Sequence, residues 1–175
     1  MSFSDPEQNI AQLNLQHGSV VADFGAGSGF YTLAAARAVG GGKVYAIDVQ
    51  KDLLARIKTE AQKQHLSNVE LLWADVEKVH GTKLHDASVD AVIVSNILFQ
   101  LTDRRNLIEE VKRILKPRGR VLAVDWSESA GKFGPRPEQI LREDSARALF
   151  EHAGMRFEAS IKAGSHHYGF IFRKP

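Results

Sequence analysis

One stretch narrows the fold more than any other: Val20 to Tyr31 reads V-V-A-D-F-G-A-G-S-G-F-Y, an apolar run ending in an acid, followed by three alternating glycines. A buried strand that ends in such a turn lets the backbone approach a ligand with no Cβ in the way. It also aims the N-terminus of the next helix, opening at Phe30, at that ligand. The spacing separates the kinds of nucleotide loop. A dinucleotide fold wants G-x-G-x-x-G, with the third glycine three positions after the second; here Gly29 follows Gly27 by two, and Phe30 stands where that pattern has Gly or Ala. A phosphate loop ends in G-K-[ST], and no lysine occurs before Lys43. A glycine turn that only packs strand on helix is the plain alternative.

From Val20 onward the pattern alternates strand and helix. Strands are expected at Val20 to Phe24, Lys43 to Ile47, Val69 to Trp73, Val89 to Ser95 and Arg120 to Asp125. Helices are expected from Phe30 to Val39, from Lys51 to His65 with Leu54, Ile57 and Ala61 at helical spacing, and from near Thr102 to a stop before Pro117. A fourth helix is expected from Glu138 to His152, and the runs Arg156 to Lys162 and Tyr168 to Arg173 read as a hairpin around Ala163 to His167. The alternation predicts an α/β fold, a doubly wound, seven-stranded, mostly parallel sheet with a C-terminal antiparallel hairpin. No linker or repeat interrupts it, so residues 1–175 are expected to form one domain. Its core spans 19–175, and a short amphipathic helix within 1–18 starts at Asp5-Pro6-Glu7 and lies over the ligand as a lid or merely over a sheet edge.

A chain of 175 residues, 43% hydrophobic and 25% charged, suits one globular domain. No apolar run reaches the roughly 18 residues of a membrane span. The first residues carry no basic region followed by an apolar run, so secretion is not expected. The absence of cysteine excludes disulfides, thiolate metal sites and cysteine nucleophiles, and is compatible with a cytoplasmic location. A net charge of +2 without a basic block neither requires nor rules out nucleic acid.

Ligands of open parallel sheets sit beyond the carboxyl ends of the strands. There the chain places Asp23, Asp48, Asp75, Ser95-Asn96 and Asp125-Trp126. Asp48 follows Gly29 by 19 residues, close to the separation at which an acid reaches a ribose diol. Asp75 is suited to accept from an adenine amino group, and Asp23 to meet an ammonium group directly or through water.

With these residues the loop Asp23-Phe24-Gly25-Ala26-Gly27-Ser28-Gly29 resembles the D/E-x-G-x-G-x-G loop of class I S-adenosylmethionine-dependent methyltransferases, and the likeness covers nearly the whole chain. It implies S-adenosylmethionine as cofactor and S-adenosylhomocysteine as product. By the resemblance Gly25, Ala26, Gly27 and Gly29 border the methionine moiety and Asp48 holds the ribose. Val49 packs on the adenine, Asp75 and Val76 hold its edge, and Asn96 sits near the methyl group. The nearest look is to quinone-biosynthesis methyltransferases, without their long N-terminal helices and cap insertion.

Ser95-Asn96-Ile97-Leu98 departs from the [DN]-P-P-[FYW] found where exocyclic amino groups are methylated, and the lack of cysteine disfavours methylation of bound arsenic. The expected reaction is in-line methyl transfer to a small or medium-sized acceptor. An RNA or protein acceptor approached by Lys112, Arg113, Lys116, Arg118 and Arg120 is the second reading, and a non-catalytic cofactor-binding module the third. Candidate general bases are His166, His167 and Asp125, with His17 behind them. The adjacent histidines point apart in an extended chain, so no metal is expected. Trp126, Phe133 and Phe99 are the candidate aromatic wall.

Overall fold

The computed structural model describes residues 4–130 and 134–175. Gly131 and Phe133, the latter expected in the aromatic wall, lie outside the described residues. The chain runs α1 (Pro6–Gln12), β1 (Val20–Phe24), α2 (Phe30–Val39), β2 (Lys43–Asp48), α3 (Lys51–Lys63), β3 (Val69–Trp73) and β4 (Val89–Ser95). It continues through α4 (Arg104–Ile114), β5 (Leu115–Trp126), α5 (Glu143–His152), β6 (Arg156–Ser160) and β7 (His167–Arg173). The seven strands form one sheet in the order β3-β2-β1-β4-β5-β7-β6. The first five are parallel; β7 runs antiparallel between β5 and β6. This is the Rossmann-like, mostly parallel sheet expected from the alternation.

The central strands read as near-continuous apolar runs because both faces are covered. Val21, Val44, Ile93, Leu122 and Val124 face α1 and α2, with Ala46 facing α3 on the same side. Ala22, Phe24, Ile47, Val92, Val94 and Ala123 face α4 and α5. The chain winds outward from β1 through β2 to β3, then returns to the other side of β1 for β4 and β5. The reversal opens a crevice at the carboxyl ends of β1 and β4, where such sheets bind ligands.

Among the boundaries that differ from those expected, three bear on the core or the site. β5 starts at Leu115, directly after α4, with a register shift against β4; Pro117 thus lies inside a strand whose first residues sit at an irregular end. The helix expected from Glu138 divides into a 3₁₀ turn at Pro137–Gln139 and α5 from Glu143, with Ile140 extended, and the break lets Leu141 reach the core. His167 belongs to β7, not to the turn before it.

The loop from Asp75 to Ser88 has no regular structure of its own and hangs on one buried carboxylate. Glu110 of α4 accepts from the amides of His80 (2.7 Å) and Thr82 (3.2 Å), from the Thr82 hydroxyl (2.6 Å) and from Arg113. Burial alone would raise its carboxyl; the bonds from Arg113, Thr82 and the two amides outweigh burial and hold it at about 2. Because the folded value lies below the unfolded one, this contribution, about 3 kcal/mol, is present above pH ~4.5 and lost as the pH falls through ~2. Glu110→Gln is therefore expected to cost about 3 kcal/mol in urea unfolding at pH 7 and clearly less at pH 3. An equal cost at both values would show that the charge of Glu110 is not what holds the loop.

Candidate functional site

The crevice at the strand ends holds a cavity of about 850 Å³. The glycine loop forms its floor, and Gly25, Gly27 and Gly29 all have positive φ. At Gly29 (φ +82°) a Cβ would come within 2.6 Å of Ile57 Cγ1, so close packing of α3 and the left-handed backbone both require glycine there. A Cβ on Gly25 would sit 2.3 Å from Ile97 Cδ1. Glycine at these two positions thus lets Ile57 and Ile97 pack directly against the loop.

The strands β1 to β4 deliver the polar residues at their ends to this cavity. Asp23, on β1, is buried and accepts from the Thr32 hydroxyl at 2.6 Å. Burial, reinforced by the charge of Asp48 and opposed by Thr32, pushes its carboxyl up to about 7. Asp48, ending β2, accepts from the amides of Gly27 and Gln50, both at 2.9 Å, one on each oxygen. Each oxygen keeps a lone pair for a hydroxyl donor. Asp75 follows β3, accepts from the Glu77 amide at 3.0 Å, pairs with Lys78 and lines the cavity. Val49, exposed, and Val76, buried, line it as well. Asn96, after β4, takes a left-handed φ of +53° and presents a buried Oδ1 without a hydrogen-bond partner. A strained residue with an unmet acceptor at a cavity is where a ligand is expected.

All ten residues expected to hold the cofactor therefore line one cavity. The three expected general bases separate. Asp125 does not line it: its carboxylate is spent on the amides of Leu98 and Trp126, each at 2.8 Å, and of Phe99, so that it holds the Leu98–Gln100 3₁₀ turn in place. Burial raises it to about 6 against those bonds. Strand pleating sends the adjacent histidines opposite ways. His167 enters the cavity and sits against Trp126, ring centroids 4.3 Å apart, because the two residues are paired across β5 and β7. His166 instead lies 2.8 Å from Glu128 Oε1 and outside the lining. Phe99 is likewise outside it, and His17 is at the other end of the sheet, accepting from the Gly41 amide. Among the described residues no group of three or more His, Cys, Asp or Glu is placed to hold a metal.

Three contributors were not expected from the sequence. Tyr31 and Ser4 line the cavity, their hydroxyls 2.8 Å apart. Trp73 donates to the Val49 carbonyl at 2.9 Å beneath the Lys51 ammonium, 3.7 Å from its ring, and so braces the turn that carries Val49 and Gln50. The run Phe30-Tyr31-Thr32 after the loop was the available signal for Tyr31, whereas the Trp73 contact depends on strand pairing.

A family model described as a methyltransferase domain matches residues 15–165. The chain belongs to the methyltransferase-domain family. A crystal structure of an S-adenosylmethionine-dependent methyltransferase from Aquifex aeolicus superposes on this methyltransferase with a TM-score of 0.88 at 31% identity, covering 99% of this chain and 91% of that one. A demethylmenaquinone methyltransferase of Geobacillus sp. (strain WCH70) is 28% identical over 127 residues, 70% of this chain and 51% of that protein. An arsenite methyltransferase of Halobacterium salinarum is 26% identical over 157 residues, 81% of this chain and 38% of that protein. The chain spans about half the length of the demethylmenaquinone relatives it matches first. Family and fold make S-adenosylmethionine the cofactor. The positive-φ glycine loop lining the cavity, the acids at three strand ends and the unmet Asn96 oxygen fit it.

Proposed function

We propose that the methyltransferase moves the methyl group of S-adenosylmethionine, by in-line displacement, onto a small, flat, uncharged acceptor seated against Trp126 and His167. The observation that carries this reading is the extent of the cavity. It is continuous from the glycine loop to the Trp126–His167 pair, and its volume is near the upper end of the 300–1,000 Å³ usual for small-molecule sites. The cofactor supplies an activated methyl group on a sulfonium. The protein's part is to bind, orient and exclude water, and proximity supplies most of the acceleration. Asn96 and the glycine loop fix one side, while the Trp126 ring offers a face for a planar ring on the other. The relatives named for demethylmenaquinone support an acceptor of that flat kind.

The absence of lysine and arginine from the described lining disfavours an anionic acceptor. So does the fate of four of the five basic residues that an RNA or protein reading would use, Arg118 being the exposed fifth. Arg113 pairs with Glu110 and Asp86, Lys116 with Asp90, and Arg120 with Glu158, while Lys112 caps α5 through the Ala153 carbonyl. Arsenic is disfavoured because the chain has no cysteine. Among the described residues no helix is long and apolar enough to cross a membrane. Residues 1–175 act in this reading as one domain, with Ser4 and Pro6, at the start of α1, lining the cavity.

A base is needed only where the acceptor arrives protonated, and His167 is the imidazole in position. A screen of metabolite fractions with labelled methyl donor identifies the acceptor. With it, His167→Ala is expected to lower turnover about a hundredfold and to leave S-adenosylhomocysteine affinity unchanged. Unchanged turnover in the variant would remove His167 from the chemistry.

A further inference from the structure

The ion pairs that disfavour a macromolecular acceptor leave a surplus of positive charge at one place, the end of the sheet opposite the cofactor cavity. Arg120 on β5, Arg173 on β7 and Arg156 on β6 are cross-strand partners in one row. Like charges directly opposite one another destabilise a sheet. One carboxylate serves this row: Glu158 meets Arg120 Nε at 2.9 Å through one oxygen and Arg173 Nε through the other. Arg156 is exposed and has no ion pair among the described residues.

The row borders a hollow of about 650 Å³ at the amino ends of β1, β4 and β5. Arg120 and Arg173 line it together with Lys116 and Arg118, and Asp90 is the carboxylate in its lining. Asp90 is engaged on both oxygens, by Lys116 at 2.7 Å and by the Val20 amide at 2.8 Å. With Glu158 divided between two arginines, two carboxylates meet four cations. The terminal nitrogens of Arg120 and Arg173 have one hydrogen-bond acceptor among the described residues, the Leu13 carbonyl, 3.4 Å from Arg120 Nη1. Arg118 is exposed, has no ion pair among the described residues and holds a left-handed φ of +65°. Its amide donates to the Lys174 carbonyl at 3.0 Å, which fixes an arginine in a conformation that favours glycine. The local field is positive as well: burial, and then the charge of Lys112, hold the Lys174 ammonium below its ordinary value.

Guanidinium groups bind oxyanions through paired N–H donors, and a hollow of this volume is within the range of small-molecule sites. Two surplus cations match the nearly double negative charge of a phosphate group better than the single charge of a carboxylate. We propose that the hollow lined by Arg118, Arg120 and Arg173 is a second binding site, for a small phosphorylated ligand, at the opposite end of the sheet from the cofactor. An anion there relieves the repulsion along the arginine row and occupies the donors that Glu158 and Asp90 leave over.

Calorimetry on the full chain with inorganic pyrophosphate, with and without S-adenosylhomocysteine, tests it, and malonate serves as a dicarboxylate control. One saturable pyrophosphate site per chain is expected, unaffected by S-adenosylhomocysteine. Arg118→Gly and Arg173→Gln are each expected to weaken it about tenfold. Arg118→Gly should do so with no loss of thermal stability, because glycine suits the left-handed backbone. Glu158→Gln is expected to tighten pyrophosphate about threefold or more, because both arginines lose their competing carboxylate. No saturable binding, or the same affinity in all three variants, overturns the proposal. Competition by S-adenosylhomocysteine overturns it by placing pyrophosphate in the cofactor cavity. Weaker binding in Glu158→Gln overturns it in favour of a structural role for the arginine row, and tighter binding of malonate than of pyrophosphate overturns the phosphate assignment.

Discussion

Asp23→Asn is expected to stabilise the free protein above pH 7 and at the same time to weaken its hold on the cofactor. The carboxyl is buried beneath the glycine loop and pushed up from 3.8 to about 7. Between these values the folded chain keeps a proton that the unfolded chain has released, so stability falls as the pH rises from ~4 to ~7, by up to about 4 kcal/mol. Asparagine accepts the Thr32 hydroxyl equally well and cannot ionise. Thermal unfolding of the variant should lose this decline and exceed the unaltered chain at pH 8. In the unaltered chain, S-adenosylhomocysteine affinity should fall about tenfold per unit below pH ~7, because its ammonium is met by an ionised Asp23. In Asp23→Asn it should be weaker and flat. A variant with the same pH dependence of stability as the unaltered chain would mean that Asp23 is ionised in the free protein at all pH values above its usual range.

The second large effect is expected at Asp48. A carboxylate that accepts from both ribose hydroxyls contributes about 3 kcal/mol, so Asp48→Ala should weaken S-adenosylhomocysteine by roughly two orders of magnitude. Asp48 also holds the Gly27 and Gln50 amides, so loss of affinity alone does not isolate the ribose contact. A cycle with the 2′-deoxy ligand does. Removing the ligand's 2′-hydroxyl should weaken binding to the unaltered chain about tenfold or more and leave Asp48→Ala insensitive. Equal sensitivity in both proteins would assign Asp48 to the loop alone.

What could be seen in the sequence was whatever is encoded locally. The V-V-A-D run with its glycines carries its own strand, turn and helix start, and Asp48 and Asp75 mark strand ends because polar residues interrupt otherwise apolar runs. What escaped was set by distant pairing. The insertion of β7 between β5 and β6 puts His167, and not His166, against Trp126; the sequence shows that the two histidines diverge but no local pattern announces which of them enters the cavity. Asp125 looks in the sequence like any other acid at a strand end. Only the fold of the turn after β4 shows that backbone amides of that turn occupy it. Tyr31 reads as one more apolar position in an alanine-rich helix until Asn9 and Ser4, more than twenty residues earlier, are brought to its hydroxyl.

The claim on which the rest depends is that the cavity at the strand ends binds an adenosyl amino acid. Titration calorimetry of the unaltered chain with S-adenosylhomocysteine and, separately, with NAD tests it most directly. The structure predicts saturable binding of S-adenosylhomocysteine at one site per chain and no comparable binding of NAD. Tight binding of NAD with no response to S-adenosylhomocysteine would contradict it.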